Sequence, residues 1–226
     1  TLPGSALCSI RRHGVVSQIP EEAEDKSIIL RRLGLGPTRS GIFLVEDQLA
    51  RLVTRELIGM SDLGLHYKIE IRSLNGAGDV KNALSGIPAE VDIVSIIGIL
   101  DGDMRQNAAE WNCAASLIFL PFENAMEVDF MKSWEEDLEG WSSSIGRPRD
   151  RVEDILSQLK GQNFHDVYVE FARALDLDMA MLTAKSLHHW MNAGPRDEPI
   201  RLFLSTMAQL LKLQPDSLKI DGLGVG

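Results

Sequence analysis

Cysteine and long apolar runs are both scarce in this chain of 226 residues. Its two cysteines, Cys8 and Cys113, form no metal-binding motif, and so few thiols favour a reducing compartment. The longest apolar runs are interrupted by Asp92 or Gly98, which argues against a transmembrane helix. The first residues, 1–5, carry no signal-peptide pattern. We therefore predict a cytoplasmic protein that has no membrane partner.

Basic residues are outnumbered by acidic ones. The chain has 23 Lys and Arg against 33 Asp and Glu, and its formal net charge is −10. No general affinity for nucleic acid follows from such a total, because a negative protein repels phosphates. Binding of nucleic acid would require a local basic patch, or metal ions that bridge acidic side chains to phosphates. The length is sufficient for one large domain or two small ones.

Alternating strand and helix patterns occupy the middle of the chain. Runs that are apolar throughout, such as 41–45 and 96–100, are typical of parallel strands that are buried on both faces. The predicted elements are strands at 41–46, 66–74, 91–100 and 116–120, and helices at 48–58, 79–85 and about 106–114. This order predicts an α/β fold with a mostly parallel, Rossmann-like sheet flanked by helices.

Helical spacing replaces this alternation after the fourth strand. One helix is expected to run from Val128 through Trp141 to a break at Gly146, and further helices follow as far as Leu213. A helix is also expected at 25–35. The predicted organisation is a lead-in segment at 1–40, an α/β domain at 41–125 and an all-helical domain at 126–226.

Acidic residues follow two of the predicted strands. Glu46 and Asp47 end the first strand, and Asp101 and Asp103 follow the third. Because ligands gather at the carboxyl ends of parallel strands, we expect three or four carboxylates to converge at one edge of the sheet. An extended Asp-x-Asp loop would point both side chains the same way, and Gly102 would allow a tight turn. The cluster predicts a Mg²⁺ or Mn²⁺ site, although a solvated turn is the simpler alternative.

Four segments resemble the Toprim domain and, within that group, the overcoming-lysogenization-defect (OLD) nucleases. They are Leu44–Ala50 (LVEDQLA), Asn75–Gly78 (NGAG), Gly98–Asp103 (GILDGD) and Leu120–Asn124 (LPFEN). The resemblance implies a Toprim-like catalytic domain that is followed by a helical domain. It also implies metal-dependent cleavage of DNA by two ions of Mg²⁺ or Mn²⁺, with Glu46, Asp101 and Asp103 as the catalytic metal ligands.

The same resemblance implies partners beyond this chain. In the family, the nuclease region follows an ABC-type ATPase region, and no Walker A sequence occurs here. We therefore expect the chain to be the nuclease part of a longer protein that acts on DNA. A helicase is a further expected partner.

One position departs from the family pattern. A second acid is expected one helical turn after Glu46, where this sequence has Ala50. Either Asp47 substitutes in part, or an acid of the helical region completes the second metal position. The candidates in the helical region are Glu153 and Asp154 for the metal, Lys160 and Lys185 for the scissile phosphate, and Arg147, Arg149 and Arg151 for DNA phosphates.

Ordinary structural roles compete with several of these assignments. Acids near a helix start are stabilised by the helix dipole without any ligand, which applies to Glu123, Glu127, Glu153 and Asp154. Of these four, Glu123 and Glu127 are also candidates to join the site. His165 is expected to be structural or to contact substrate. The adjacent His188 and His189 cannot share one helix face and are expected to be core or surface histidines.

Other classes of function remain open. A phosphoacceptor receiver domain would use Asp101, but it needs a lysine where 120–122 has none. An aspartate-nucleophile phosphatase carries its Asp-x-Asp pair on the first strand, unlike this chain. A non-catalytic Toprim scaffold that binds DNA or partners would not require all three core acids. A topoisomerase would need a reactive tyrosine, and the chain has only Tyr67 and Tyr168.

Overall fold

The computed structural model describes residues 8–10, 16–18, 39–63, 67–87, 94–113 and 116–213. The strands are β1 Cys8–Ile10, β2 Val16–Gln18, β3 Arg39–Val45, β4 Tyr67–Ser73, β5 Val94–Leu100 and β6 Leu117–Phe119. The helices are α1 Gln48–Gly59, α2 Ala77–Ser85, α3 Arg105–Ala108, α4 Met126–Glu136, α5 Leu138–Ile145, α6 Arg149–Leu159, α7 Phe164–Ala174, α8 Met179–Asn192 and α9 Asp197–Leu210. The helix predicted at 25–35 lies outside the described residues.

The central sheet has four strands in the order β4-β3-β5-β6, and every pair is parallel. This confirms the predicted α/β class and the parallel sheet. In the register, Val45 of β3 lies opposite Ile99 of β5, so the two strands end within one residue of each other. Strands β1 and β2 form a separate antiparallel pair.

Helices cover both faces of the sheet, which explains why residues 41–45 and 96–100 of its central strands are apolar on both faces. Side chains on successive residues of β3 point to opposite faces. Phe43 and Val45 lie in the larger core, whereas Leu44 lies in a second cluster with Val80 and Leu84 of α2. Gly98 of β5 belongs to this second side, where a Cβ atom would come within 2.6 Å of Leu84 Cδ1. A glycine there lets α2 pack closely on the sheet.

The helical region packs on the sheet through one continuous core. Trp134, Trp141 and Phe171 stack at its centre, with ring centroids 4.8 Å apart for both Trp134 pairs. Buried side chains of α8 and α9 join this cluster to β3 and β5, and α8 packs against both α1 and α4. The predicted boundary near residue 125 therefore marks a change of secondary structure across which the core is shared.

The helix predicted from Val128 to Trp141 is wrong in one respect, because it is two helices. Asp137 ends α4 with φ −136° and ψ 70°, and its Oδ1 then accepts a hydrogen bond from the backbone N–H of Gly140 at 2.9 Å. An aspartate that caps a new helix in this way competes with continuation of the old one. The break predicted at Gly146 is confirmed, since that residue ends α5 in the left-handed conformation at φ 67°.

None of the described helices is both long enough and apolar enough to span a bilayer.

Candidate metal centre

Glu46 is the first residue after β3 and links three segments at the carboxyl edge of the sheet. Its Oε1 accepts a hydrogen bond from the backbone N–H of Asp101 at 2.7 Å. The backbone N–H of Ala77, the first residue of α2, also donates to this carboxylate. The backbone N–H of Gly76 donates to the Glu46 carbonyl at 2.8 Å. The start of α2 and the end of β5 therefore hold the Glu46 side chain in place.

The Asp-x-Asp segment is a turn, and the predicted extended loop is wrong. Residues Gly102–Met104 form one turn of 3₁₀ helix, in which the Met104 N–H donates to the Asp101 carbonyl at 3.2 Å. Asp101 is buried, with 8% of its surface exposed, whereas Asp103 is exposed. Both aspartates still lie close to Glu46. The backbone N–H of Asp101 donates to the Glu46 carboxylate, and the negative charge of Asp103 contributes to the raised pKa of Glu46. The turn brings the two carboxylates to the same strand end by a different geometry.

Gly102 is required by a close approach of two backbone segments. A Cβ atom there would lie 1.9 Å from the carbonyl oxygen of Phe122, which no side-chain motion can relieve. Gly102 does not adopt the positive φ that Gly76, Gly146 and Gly161 have. The predicted reason for a glycine at position 102 is its freedom to form a tight turn. The structure gives a different reason, which is that a side chain has no space beside the Phe122 carbonyl.

We expect Gly102→Ala to lower the free energy of unfolding by about 1–3 kcal/mol, the usual range for overpacking. Denaturant unfolding of the variant measures the change. Gly78→Ala is the matched control, because a Cβ at this position in α2 meets nothing within 4 Å. Alanine is also the better helix former, so the control should be neutral or slightly stabilised. Equal stability of the two variants would contradict the proposed contact with Phe122.

Arg105 and Asp129 hold the loop that follows β6 against the Asp-x-Asp turn. The Arg105 guanidinium donates to the carbonyls of Phe122 at 2.6 Å, Leu120 at 2.7 Å and Gly102 at 3.3 Å. Asp129 Oδ2 accepts hydrogen bonds from two successive backbone N–H groups, that of Glu123 at 2.9 Å and that of Asn124 at 3.3 Å. Sequence reasoning missed both residues. The only sign of them in the sequence is that Arg105 follows the Gly98–Asp103 segment closely and Asp129 follows the Leu120–Asn124 segment closely.

A second group of ligand atoms lies beside the first. Asp47, Glu127 and His165 each offer one atom, and the three atoms lie within 4.8 Å of one another. His165 Nδ1 is 2.5 Å from Glu127 Oε1. Asp47 caps α1, because its Oδ1 accepts from the Ala50 N–H at 2.8 Å. Ala50 itself is completely buried.

Burial and mutual repulsion raise the pKa of two carboxyl groups in this cluster. Burial raises the pKa of Asp101 to about 9, and the carboxylates of Glu46, Glu127, Asp47 and Asp103 add to the increase in that order. Burial also raises the pKa of Glu46, against the opposing hydrogen bond from the Asp101 N–H. Asp101 therefore retains its proton at neutral pH unless a cation replaces it.

Two oxygens of the cluster show that the residues present fit a cation. Asp101 Oδ1 and Glu127 Oε2 are buried and have no hydrogen-bond partner among the described residues. An unpaired buried carboxylate oxygen is costly, and coordination of a metal ion would remove this cost. Carboxylate oxygens are also the ligands that Mg²⁺ and Mn²⁺ prefer.

The candidates of the helical region have other neighbours. Glu153 pairs with Arg149 at 4.0 Å, and it lines a surface depression together with Glu135 and Lys160. Asp154 is exposed. Neither Glu153 nor Asp154 is among the carboxylates that contribute most to the raised pKa of Asp101. The structure thus brings Glu127 to the cluster from the helical region, and its assignment as a ligand remains a prediction.

Several predicted basic residues donate to backbone carbonyls. Arg147 donates to the Leu175 carbonyl at 2.8 and 3.1 Å, and Arg151 donates to the Ala174 carbonyl at 3.2 Å. Together these hydrogen bonds satisfy backbone carbonyls at the carboxyl end of α7, which is a usual position for a cation. Lys185 donates to the Ser144 carbonyl in the last turn of α5. These contacts give the three side chains structural roles, and DNA contact by them remains a prediction.

His188, His189 and Tyr168 of the helical region belong to the core or the surface. His189 is buried and its Nε2 lies 3.0 Å from the Ser133 carbonyl, whereas His188 is exposed, as predicted. The Tyr168 hydroxyl is buried next to Thr183 and Ser186, where burial raises the pKa of the phenol. A phosphodiester cannot reach this hydroxyl in the observed structure.

No protein-family model matches this chain, and no curated protein or solved structure is significantly similar to it. The resemblance to the Toprim domain therefore depends on the quoted segments alone.

Proposed function

We propose that this chain is a divalent-metal-dependent DNA endonuclease, and that it is the nuclease part of a longer ATPase–nuclease. The observation that carries the proposal is a pair of buried carboxylate oxygens, on Asp101 and Glu127, that have no hydrogen-bond partner in the described part of the chain. They lie in a cluster of five acids at the carboxyl ends of β3 and β5, where parallel sheets bind their ligands.

Two sets of side chains would hold the ions. Glu46, Asp101 and Asp103 supply oxygen ligands for the first position, and Asp47 and Glu127 do so for the second. Bound divalent ions would activate a water molecule and neutralise the charge that develops on the phosphate. The hydrogen bonds from Asp101 and Ala77 to Glu46 fix the orientation of that carboxylate before an ion arrives.

The electrostatics support an anionic substrate only when cations are present. A net charge of −10 and five neighbouring acids would repel a phosphodiester from the empty cluster. Two divalent ions would offset most of this negative charge, so substrate binding and metal binding should be coupled. Within the proposal, Lys160, Lys185 and the arginines at 147, 149 and 151 provide additional contacts to DNA.

Incubation with supercoiled plasmid tests the proposal. We expect nicked or linear products with Mg²⁺ or Mn²⁺ and none in EDTA. Glu46→Gln, purified in the same way, is the control for contaminating nucleases and should retain at most about 1% of the activity, because glutamine lacks the charge that binds the cation. Cleavage in EDTA, or equal cleavage by the Gln variant, would contradict the metal mechanism. Absence of cleavage with every metal would favour a scaffold or a strictly ATPase-dependent enzyme.

A further inference from the structure

The amino-terminal ends of three helices meet beside the acidic cluster. Asp47 is the N-cap of α1, Glu127 is the second residue of α4, and His165 is the second residue of α7. The backbone N–H groups at a helix start favour negative charge nearby. The three helices thus place two oxygens and one imidazole nitrogen around a common point.

We propose that Asp47, Glu127 and His165 bind a transition-metal ion of the Mn²⁺ or Co²⁺ class. Ligand atoms on one ion lie up to about 4.3 Å apart, because the metal–ligand bonds are about 2.0–2.2 Å long. The three ligand atoms lie within 4.8 Å of one another, so binding of one ion requires them to close by less than about 1 Å.

Glu127 provides an independent sign of a missing ligand. Only 3% of the surface of Glu127 is exposed. Its Oε1 lies 2.5 Å from His165 Nδ1, whereas its Oε2 has no hydrogen-bond partner among the described residues. A cation that enters between the two side chains would use both groups. The His165 side chain is 54% exposed, which leaves a path from solvent to the site.

The imidazole decides which cation this position prefers. Mg²⁺ takes oxygen ligands almost exclusively, whereas affinity for imidazole nitrogen rises from Mn²⁺ towards the later first-row metals. Glu46, Asp101 and Asp103 offer only oxygens, so the two positions should differ in selectivity. The inference rests on the proposed function for the role of the ion in cleavage, but its binding can be measured without DNA.

Metal titration of the whole chain tests the site, with Mn²⁺ or Mg²⁺ alone as the probe. We expect a Mn²⁺ site at least about tenfold tighter than any Mg²⁺ site, and we expect His165→Gln to weaken it by about 10–100-fold. The electron spin-echo signal of bound Mn²⁺ should show coupling to one imidazole nitrogen in the wild type. His188→Gln is the matched control, because His188 is an exposed histidine on α8, and it should change neither quantity.

Three outcomes separate this inference from the proposed function. Unchanged Mn²⁺ affinity in His165→Gln, or bound Mn²⁺ without nitrogen coupling, would overturn the inference and leave plasmid cleavage unaffected. A nitrogen-coupled Mn²⁺ site in a chain that cuts no DNA with any metal would support the inference and contradict the nuclease. Loss of the site in His165→Gln with an unchanged thermal unfolding curve in EDTA would support the direct ligand role.

Discussion

Asp101→Asn is expected to reduce metal-dependent cleavage by about 10³-fold or more and to make the metal-free protein more stable. Asparagine keeps the size of aspartate but cannot supply the negative charge that holds a divalent cation. Without metal the substitution is favourable, because burial beside the carboxylates of Glu46 and Glu127 forces the wild-type Asp101 to take up a proton on folding, and asparagine avoids this cost. A residue that holds structure rather than metal would show the opposite effect on stability.

The stability difference should depend on pH in a defined direction. The folded protein holds the Asp101 proton up to about pH 9, whereas the unfolded chain releases it near the ordinary value of 3.8. Between these two pKa values the folded state binds more protons, so this group lowers the free energy of unfolding progressively as pH rises. Below about pH 4 both states are protonated and the penalty disappears; above about pH 9 it stays constant. Asparagine carries no such penalty at any pH.

Thermal unfolding in EDTA measures this effect. The advantage of Asp101→Asn over the wild type should grow from pH 6 to pH 9 and reach several degrees, since about 1 kcal/mol corresponds to about 2–4 °C for a domain of this size. Saturating Mg²⁺ should reverse the order, because the variant lacks a ligand of the first metal position and gains less stability from the ion. Asp154→Asn, at an exposed position, is the control and should follow the wild type. A variant that is less stable than the wild type in EDTA at pH 9 would refute the account of a crowded carboxylate.

Glu127→Gln should lower cleavage by about 100-fold and remove one of two metal sites. The reason is the position of the residue: Glu127 is buried, raises the pKa of Asp101, and has one unpartnered oxygen. Glu153, the acid that the sequence pattern favoured, instead pairs with Arg149 on an exposed helix face. The structure therefore favours Glu127 as the carboxylate that compensates for Ala50.

Calorimetric metal titration distinguishes the two acids. Wild type and Glu153→Ala should each show two binding events for Mn²⁺, whereas Glu127→Gln should show one. If Glu153→Ala loses a site and Glu127→Gln keeps both, the acid at the helix start of α6 completes the centre. If both variants keep two sites, the second ion is held by Asp47 and other ligands.

The sequence by itself determined the sheet and the first half of the site. Residues 41–45 and 96–100 of the two central strands are apolar throughout because both faces of the sheet are covered, and this pattern is visible without any structure. The positions of Glu46 and Asp101 follow from it, since an acid directly after a buried parallel strand must lie at the carboxyl edge. The parallel order required by alternating strands and helices then brings the two acids together.

Local chemistry explains where sequence reasoning failed within single elements. The break at Asp137 depends on a side-chain cap, which competes with helix propagation by a small free energy that spacing cannot show. The reason for Gly102 was also misread, because a glycine that is needed for space and one that is needed for a turn look the same in a sequence.

Only the tertiary structure decided the second half of the site. Glu127 and His165 are 38 residues apart, and their contact depends on how α4 and α7 pack around the stacked Trp134 and Tyr168 rings. Apolar periodicity tells which face of each helix is buried, but it contains no information on where the helix ends lie relative to one another. That placement is set by side-chain packing across the shared core, and it brings three helix starts to the acidic end of the sheet.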